Sequence, residues 1–430
     1  MLKLAYYADD FTGATDALES LAQAGLRTRL FLSPPTAAQC AGLEAVGVAG
    51  FTRSLAPAAM EAVLRPAFTA LRGLAPRHVH YKVCSTFDSS PTVGSIGRAI
   101  DVGAGVFGSR VVPLLVAAPA LGRYCAFGHL FARYGIGSLG AIYRLDRHPA
   151  ISRHPVTPMT EADLRVHLGA QTKRSIGLLA VPALECPAAE TTKAFDLLVE
   201  AGSDIVLIDG LNAGHLLRAG ALIDGLAGEG PVFSVGSSGI EAALCAHWGD
   251  GRPESREGSA PPEPRPGGNG SRPGGPLLVV SGSCSPVTGG QIDWAMANGF
   301  TGIEFSSTAL PAVLAALKSG RSTVVYTSRG QANRTPVPSG KLGTELGQLT
   351  REAIAQTGVR RLVVAGGDTS SYATRALGIE SLEILAPLVP GAPLCRARAP
   401  GSPLDGLEVN FKGGQVGAPD YFRTAEQLKS

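Results

Sequence analysis

The sequence predicts an α/β protein with two layered domains, each built on a mostly parallel sheet and joined by a Gly/Pro-rich linker. Short runs rich in Val, Ile and Leu recur along the chain, and runs that are apolar on both faces are typical of strands buried in parallel sheets. Segments with helical periodicity separate them, which is typical of layered α/β domains. The predicted strands cover residues 2–8, 46–49, 78–83, 111–118, 176–181, 204–208, 232–235, 277–280, 323–326, 361–365 and 407–411.

Two of the intervening segments show the helical period most clearly. The first has apolar residues in the i, i+3, i+4, i+7, i+8 pattern, at Ala14, Ala17, Leu18, Leu21 and Ala22. Gly25 follows where a helix C-cap is expected, so this helix is predicted to end there. The second segment runs through Leu342, Leu346, Leu349 and Ala353.

One segment differs in composition from the rest of the chain. Residues 251–276 hold seven Gly and seven Pro in 26 positions, and Ala260 is their only aliphatic side chain. Such a stretch buries too little apolar surface to offset the entropy of ordering it, which predicts a flexible linker over residues 249–276. The linker divides the chain into an N-terminal domain, residues 1–248, and a C-terminal domain, residues 277–430.

Charge and hydropathy exclude several classes of protein. The 430 residues hold 38 Lys+Arg against 35 Asp+Glu, and this net charge of +3 is too balanced for an electrostatic nucleic-acid binder. No apolar run approaches the roughly 18–20 residues of a transmembrane helix, and Asp9 and Asp10 come too early for a signal peptide. The seven Cys are scattered without a CxxC pair, which favours reduced thiols and a cytoplasmic location.

Polar residues directly after predicted strands are the first candidates for a site, because ligands bind beyond the carboxyl ends of strands in open α/β sheets. Asp9 and Asp10 follow the first strand, with Thr12 and Asp16 behind them. Two adjacent carboxylates repel each other and are not both buried without partners, which indicates ligand contact and a carboxylate able to accept a proton. A helix start capped by Thr12, with acidic residues favoured by the helix dipole, is the alternative.

A second polar group follows the predicted strand 78–83. It offers a cation and several hydroxyls to an anionic, hydroxylated small molecule, and it comprises Lys82, Ser85, Thr86, Asp88 and Ser89. The alternative is an ordinary polar turn in which Asp88 and Ser89 cap a helix. Arg53 and Arg123 follow other predicted strands, and either is able to pair bidentately with a carboxylate.

Small residues follow three predicted strands of the C-terminal domain. Residues 281–285 read Ser-Gly-Ser-Cys-Ser, a turn in which main-chain N–H groups and hydroxyls can meet a phosphate. Residues 366–369 read Gly-Gly-Asp-Thr, and glycines without a Cβ let a phosphate or ribose approach the main chain. The candidate nucleotide contacts are Ser281, Ser283, Gly366, Gly367, Asp368, Thr369, Gly413 and Gly414.

Several common signatures are missing from the sequence. It contains no P-loop, no GxSxG and no HExxH motif, and its eight His residues show no metal-ligand spacing, so no protein metal site is predicted. GxGxxG occurs at residues 103–108 and 135–140. Neither copy follows a clear predicted strand, which disfavours a dinucleotide site.

Taken in order, the motifs resemble those of the four-carbon acid sugar kinases. The matching segments are 8–16 (ADDFTGATD), 82–90 (KVCSTFDSS), 282–285 (GSCS), 366–370 (GGDTS) and 412–414 (KGG), in family order over nearly the whole chain. Residues 84–90 are closer to the branch that phosphorylates 3-oxo-tetronate or related 3-oxo sugar acids than to the threonate and erythronate kinases. The Gly/Pro-rich linker departs from the family in its length.

The resemblance implies an acid-sugar-binding N-terminal domain, a nucleotide-binding C-terminal domain, and ATP-dependent phosphorylation of a hydroxyl of a small acid sugar. Asp10 is then the first candidate for the general base, with Asp16 and Asp88 behind it, and Mg²⁺ is expected to bridge phosphate oxygens. The candidate substrate-binding residues are Asp9, Arg53, Lys82, Ser85, Thr86, Ser89 and Arg123.

Two other functions stay open from the residues themselves. One is an NAD(P)-dependent sugar-acid dehydrogenase built on the GxGxxG copies, and the other is a sugar-acid sensor that keeps the sites without turnover. We expect a small acid sugar and ATP as partners, with no nucleic acid and no membrane, and a homo-oligomer stays open.

Overall fold

The computed structural model describes residues 2–134, 140–153, 156–228, 230–249, 275–329 and 339–429, and only the main chain of residues 339 and 367–371. The predicted linker lies almost entirely outside the described residues, as does most of the second GxGxxG copy. The described chain forms two compact units. The first holds the residues up to 249 except Arg29–Leu32, and the second holds Arg29–Leu32 with the residues from 275 onward.

The strands are numbered here in chain order. They are β1 (Leu4–Ala8), β2 (Thr28–Phe31), β3 (Ala45–Ala49), β4 (His78–Lys82), β5 (Val112–Leu115), β6 (Arg123–Ala126), β7 (His129–Arg133), β8 (Ile142–Arg144), β9 (Ile176–Leu179), β10 (Ile205–Ile208), β11 (Val232–Gly236), β12 (Leu277–Ser281), β13 (Thr301–Glu304), β14 (Thr323–Tyr326), β15 (Arg361–Ala365), β16 (Ser381–Val389), β17 (Ala392–Arg398) and β18 (Glu408–Lys412). Each of the predicted strands is present, with ends shifted by at most three residues.

The helices lie between these strands. They are α1 (Phe11–Gln23), α2 (Pro57–Gly73), α3 (Ile96–Phe107), α4 (Leu164–Gly169), α5 (Val181–Leu184), α6 (Ala188–Glu200), α7 (Ala213–Gly225), α8 (Gly239–Trp248), α9 (Pro286–Ala297), α10 (Leu310–Lys318), α11 (Ser339–Thr357), α12 (Gly367–Leu377) and α13 (Tyr421–Gln427). Both predicted helices are present, as α1 and α11, and Gly25 follows α1 with φ +85°. Within the described ranges, no helix combines the length and apolar character needed to cross a bilayer.

The first unit is built on a parallel sheet with strand order β3-β1-β4-β11-β5-β10-β9. In register, Ala8 is opposite both Ala49 and Lys82, and Lys82 is opposite Gly236. The carboxyl ends of these four strands are therefore level. The loops that follow them emerge at one edge of the sheet, which is where ligands bind in such folds.

Aromatic side chains form the core on one face of this sheet. Tyr7 stacks on Tyr81 with ring centroids 6.3 Å apart, and Phe68 of α2 contacts Tyr7, Tyr81, Phe107 and Phe233. Phe68 is fully buried, so its truncation to Ala would cost about 3–5 kcal/mol. This packing holds α2 and α3 against the sheet and gives the loops at its edge a rigid base.

The second unit has the strand order β13-β14-β12-β15-β18-β17-β16-β2. The first five strands in this order, β13, β14, β12, β15 and β18, are parallel. The last three, β17, β16 and β2, continue the sheet in antiparallel pairing. Ser281, Ala365 and Lys412 are level at the carboxyl ends of β12, β15 and β18. The predicted α/β class with mostly parallel sheets is confirmed.

Seven strands of the described chain were not predicted: β2, β6, β7, β8, β13, β16 and β17. β6, β7 and β8 form a small antiparallel sheet, β13 is at a sheet edge, and the other three make the antiparallel extension. Along β6 and β7, buried residues alternate with half-buried ones. Such strands have no continuous apolar run, which is why the pattern that found the parallel strands missed them.

Candidate active site

Helix α1 begins at the edge of the first sheet with Asp10 as its N-cap. Asp10 is extended, and its Oδ1 accepts a hydrogen bond from Gly13 N at 2.7 Å. The alternative in which Thr12 caps the helix is therefore wrong, because Thr12 lies inside α1. A Cβ on Gly13 would lie 2.7 Å from Asp10 Oδ1 and 3.3 Å from Lys82 Nζ, so only glycine lets the helix start this close to both groups.

Arg53 binds the two adjacent carboxylates. Its Nη2 and Nε lie 3.0 and 3.2 Å from the two oxygens of Asp9, and its Nη1 lies 2.9 Å from Asp10 Oδ2. Burial would lower the pKa of Arg53, but Asp10 and Asp9 outweigh it and raise that pKa well above its ordinary value. Burial raises the pKa of Asp9; Arg53 opposes this shift and Asp10 adds to it. One guanidinium therefore serves two buried carboxylates.

Lys82, at the end of β4, pairs with Asp16 of α1. Its Nζ lies 3.2 Å from Asp16 Oδ2 and donates to Val83 O at 3.1 Å. Burial would lower the pKa of Lys82, but the nearby charges of Asp16 and Glu241 outweigh it and raise that pKa above its ordinary value. The ammonium form of Lys82 is thus stabilised by acids of the chain itself.

A line of polar residues on one face of β4 leads to Lys82. Residues two apart on a strand share a face, so His78 and His80 lie on the same face as Lys82. His80 Nδ1 lies 2.6 Å from Glu241 Oε1, and both side chains are fully buried. Glu241 Oε2 has no hydrogen-bond partner among the described residues, and the charge of Glu241 is one of those that raise the pKa of Lys82.

The turn after β4 carries the second group of candidates. Thr86 Oγ1 donates to Asp88 Oδ1 at 2.9 Å, while Ser89 Oγ donates to Phe87 O and accepts from Gln171 Nε2. Phe87 has φ +57°, an uncommon backbone for a bulky residue, and this is the kind of local strain found at functional sites.

The turn after β4 does not begin a helix. Helix α3 starts six residues after Ser90 and is capped by Ser95, so the alternative in which Asp88 and Ser89 cap a helix is wrong. Among the described residues, Asp88 forms no ion pair, and no group donates to its Oδ2. Burial raises the pKa of the neighbouring Cys84 to about 11, so that residue stays a neutral thiol.

Arg123 is a buried cation without a carboxylate partner in the described part of the chain. Its Nη1 donates to the carbonyls of Leu121, Gly122 and Arg133, whereas its Nε is buried without a partner among the described residues. Burial lowers the pKa of Arg123, and the charges of Asp88 and Asp16 act on it from nearby. Arg53 and Lys82 are each in contact with an aspartate, and Arg123 differs from them in this respect.

In the second unit, the ends of three adjacent strands meet at Ser283. Gly366 has φ +119°, and a Cβ there would lie 3.2 Å from Ser283 N. A Cβ on Gly414 would lie 2.9 Å from both Ser283 Oγ and Ser285 Cβ. The glycines therefore keep open a small space lined by main chain and hydroxyls, next to the start of α9, where Ser285 is the N-cap.

Comparison with known proteins assigns the chain to a family. Residues 4–244 match the family model of a sugar-binding N-terminal domain, and residues 278–422 match that of a nucleotide-binding C-terminal domain. The 3-oxo-isoapionate kinase of Paraburkholderia graminis is 41% identical, over 98% of this chain and 93% of that protein. The chain belongs to the four-carbon acid sugar kinases. The predictions of this family and of a phosphotransferase are confirmed.

Other members of the acid sugar kinase family agree with this result. The 3-oxo-tetronate kinase of Pseudomonas fluorescens is 30% identical, over 97% of this chain and 95% of that protein. A Salmonella typhimurium protein of known structure covers 100% of both chains with 25% identity and a TM-score of 0.77. A Haemophilus influenzae protein, at 22% identity and a TM-score of 0.68, has the same fold.

The first GxGxxG copy does not have the setting that a dehydrogenase needs. Residues 103–107 lie inside α3, and Gly108 follows in the left-handed conformation, with φ +67°. In a dinucleotide site this motif joins a strand to a helix. Gly103 instead serves the packing of α3, because a Cβ there would lie 2.1 Å from Phe233.

The structure brings most of the predicted residues into two clusters, one in each unit. In the first unit, contacts or nearby charges link Asp9, Asp10, Asp16, Arg53, Lys82, Asp88 and Arg123, and Ser85, Thr86 and Ser89 lie in the adjoining turn. In the second, Ser281, Ser283, Gly366, Gly413 and Gly414 lie at the strand ends and Gly367 begins α12. The side chains of Asp368 and Thr369 lie outside the described part of the structure.

Sequence reasoning missed two further residues beside these clusters, Glu241 and His167, and it named Lys412 only as part of the KGG motif, without a role. His167 Nε2 lies 3.0 Å from Ser89 Oγ, and Lys412 is fully buried at the end of β18. The alternation of His78, His80 and Lys82 would have indicated a polar face on β4. Nothing local in the sequence marks Glu241 or His167 as their partners.

Proposed function

We propose that this protein transfers the γ-phosphoryl group of ATP to a hydroxyl of a small 3-oxo sugar acid, with 3-oxo-isoapionate as the first candidate. The 41% identity to a 3-oxo-isoapionate kinase supports this substrate over 3-oxo-tetronate, whose kinases are 26–31% identical. The observation in the fold that carries the proposal is the buried guanidinium of Arg123 among the acids of the first unit, with its Nε unpaired within the described chain. Threonate and erythronate remain the alternative substrates.

Arg123 is the group that we assign to the substrate carboxylate. A buried cation without a counterion is costly, and a bound carboxylate would supply the missing charge and accept from Nε. Arg53 and Lys82 suit this task less well, because each is already paired with aspartates. Their role in the proposal is to hold Asp9, Asp10 and Asp16 in place beside the substrate hydroxyls.

Asp88 is the carboxylate that we assign to the hydroxyl proton. Both oxygens of Asp10 are engaged, one with Gly13 N and one with Arg53, so accepting a proton there would weaken the cap of α1. In the described part of the chain Asp88 receives one hydrogen bond, from Thr86, which leaves an oxygen for the substrate. A positioned base contributes about 10²- to 10⁴-fold to such a step.

The cluster of the second unit is the proposed ATP site. Main-chain N–H groups and hydroxyls around Ser283 suit phosphate oxygens, and Gly366 and Gly414 leave room for close approach. Mg²⁺ enters as part of the MgATP substrate. The described residues contain no cluster of three His, Cys, Asp or Glu able to hold a metal. In the proposal the ion is held largely by phosphate and water.

The test is a substrate panel. Purified protein is incubated with MgATP and, separately, 3-oxo-isoapionate, 3-oxo-tetronate, threonate or erythronate; ADP is measured and the phosphate position is assigned by NMR. We expect the highest kcat/KM with 3-oxo-isoapionate. A higher value with 3-oxo-tetronate would move the assignment to that substrate. Binding of a sugar acid without formation of ADP would favour the sensor. NAD(P)-dependent oxidation of a sugar acid would favour the dehydrogenase.

A further inference from the structure

Lys412 has a buried amine next to the proposed ATP site, with no acidic partner among the described residues. Its side chain is fully buried, and its Nζ donates to Thr288 Oγ1 at 3.0 Å. The Thr288 hydroxyl in turn donates to Gly414 O at 2.9 Å. The main-chain carbonyl of Lys412 accepts from Gly366 N at 2.9 Å, so this one residue is linked to both glycine turns.

Within the described ranges, no charge of the protein compensates this amine. It lies 5.5 Å from the centre of the Tyr421 ring, and no acidic side chain there pairs with it. Burial, acting alone, lowers the pKa of Lys412 to about 7. The charged residues on its own strand and on the described elements packed around it are Glu408 on β18, Arg361 on β15, Arg396 and Arg398 on β17, Asp293 on α9, and Arg423 and Glu426 on α13. None of them pairs with the amine in the described part of the chain.

Arg361 is a buried cation of the same unit that has a carboxylate partner. Its Nε donates to Glu408 Oε2 at 2.7 Å, and its Nη1 donates to the carbonyls of Ala425, Glu426 and Leu428. Arg361 is therefore supplied with a carboxylate and several acceptors. In the described chain the amine of Lys412 has one hydroxyl acceptor, so it differs from Arg361 in having no carboxylate partner among the described residues.

We propose that Lys412 is a positioning residue that is neutral in the free protein and takes up a proton when the phosphates of a nucleotide occupy the adjacent glycine turns. The inference rests on the proposed ATP site. In a low-dielectric interior a phosphate charge nearby favours the ammonium form, and by linkage the ammonium form strengthens nucleotide binding. The ammonium would act through Thr288 and Gly414, holding the turn in its binding conformation.

The experiment is calorimetric titration of the full-length protein with MgADP near pH 8, in two buffers that differ in ionisation enthalpy. With a pKa of about 7, Lys412 carries only about 0.1 proton at that pH, so binding should take up as much as about 0.9 proton per site. The apparent Kd should rise up to tenfold per pH unit above 7. K412M should abolish the proton uptake and flatten the pH dependence of the apparent Kd. K412Q is the control that keeps a polar side chain at this position.

Each outcome separates the two proposals. MgADP binding with no proton uptake by the wild type, or with uptake that persists in K412M, would overturn the role of Lys412 while leaving the ATP site intact. Absence of MgADP binding by the wild type would overturn the ATP site and this inference together. The number of protons that the wild type takes up on binding MgADP tests the role of Lys412 even if K412M fails to fold. A merely structural Lys412 would alter stability without coupling protons to the nucleotide.

Discussion

Arg29 and Glu383 form an ion pair although they are 354 positions apart in the chain. Arg29 Nε lies 2.8 Å from Glu383 Oε1, and Arg398 binds both oxygens of the same carboxylate. Burial would raise the pKa of Glu383, but Arg398 and Arg29 outweigh it and lower that pKa below its ordinary value. The pair joins β2 to β16, so a segment near the amino terminus completes the sheet of the second unit.

The first prediction concerns this ion pair. R29M should lower the free energy of unfolding by about 1 kcal/mol, since Arg29 is partly buried and hydrogen-bonded to a carboxylate. Arg27 is the matched control: its side chain is 68% exposed, so R27M should change stability by less than about 0.5 kcal/mol. Chemical denaturation measures both, and equal effects of the two variants would contradict a specific role for Arg29.

The second prediction separates the candidate bases. D88N should reduce kcat by about 10²- to 10⁴-fold with little change in melting temperature, because it removes a proton acceptor that supports no helix or ion pair of the described chain. D10N should instead lower the melting temperature, because Asp10 caps α1 and pairs with Arg53. Steady-state kinetics and thermal unfolding of the two variants are compared. Near-normal kcat in D88N would exclude Asp88 as the base.

The third prediction concerns recognition of the carboxylate. R123M should raise KM for the sugar acid by about tenfold or more and leave KM for ATP nearly unchanged, because a charged hydrogen bond is worth about 1.5–3 kcal/mol. R123K keeps the charge without the planar guanidinium group, so its KM for the sugar acid should lie between those of the wild type and R123M. If both KM values rise together in R123M, the effect is not specific to the sugar acid. The assignment of Arg123 to the substrate carboxylate is then wrong.

The fourth prediction concerns the space around Ser283. G414A would put a methyl group 2.9 Å from Ser283 Oγ, so KM for ATP should rise about tenfold or more while KM for the sugar acid stays constant. Gly290 is the control: it lies in α9, where an added Cβ would have no described atom within 4 Å, and G290A should leave both KM values unchanged. An unaltered KM for ATP in G414A would mean that the nucleotide binds elsewhere.

The fifth prediction concerns stability in acid. Arg77, Trp248 and His78 donate to Asp224, and although burial would raise the pKa of Asp224, these bonds hold it well below its ordinary value. The carboxylate thus stabilises the fold above the ordinary aspartate pKa, and this contribution is lost as the pH falls below it.

D224N should therefore cost about 1–3 kcal/mol near neutral pH. The difference in unfolding free energy between wild type and D224N should shrink between about pH 4 and pH 2, because Asp224 is protonated in the unfolded protein while it stays ionised in the folded protein. Denaturation at several pH values measures it. A difference that is constant over this range would contradict the role of ionised Asp224.

The fold could be predicted from the sequence where burial is uniform. Most strands of the parallel sheets are continuous apolar runs, and α1 follows the helical period, so local patterns were sufficient for these elements. Strand β2 could not be found in this way, since its first two residues, Thr28 and Arg29, are only partly buried. Its pairing with β16 depends on contacts with residues more than 300 positions away.

The members of the two clusters could also be predicted, because polar and glycine residues directly after buried strands stand out from their surroundings. The pairing of their charged residues with one another could not be predicted. From the sequence, Arg53 and Lys82 are the residues expected to bind the substrate carboxylate, with Arg123 as a further candidate. The folded chain pairs the first two with aspartates and leaves Nε of the third without a partner among the described residues.

The order of residues in the chain by itself determined the class of fold and the family, because these depend on hydrophobic periodicity and on motifs that are contiguous in sequence. Tertiary structure alone decided which charges are compensated. Asp16 reaches Lys82, and the amine of Lys412 reaches Thr288, because of how helices pack on the sheets, and electrostatic energy depends on distance and burial rather than on order in the chain.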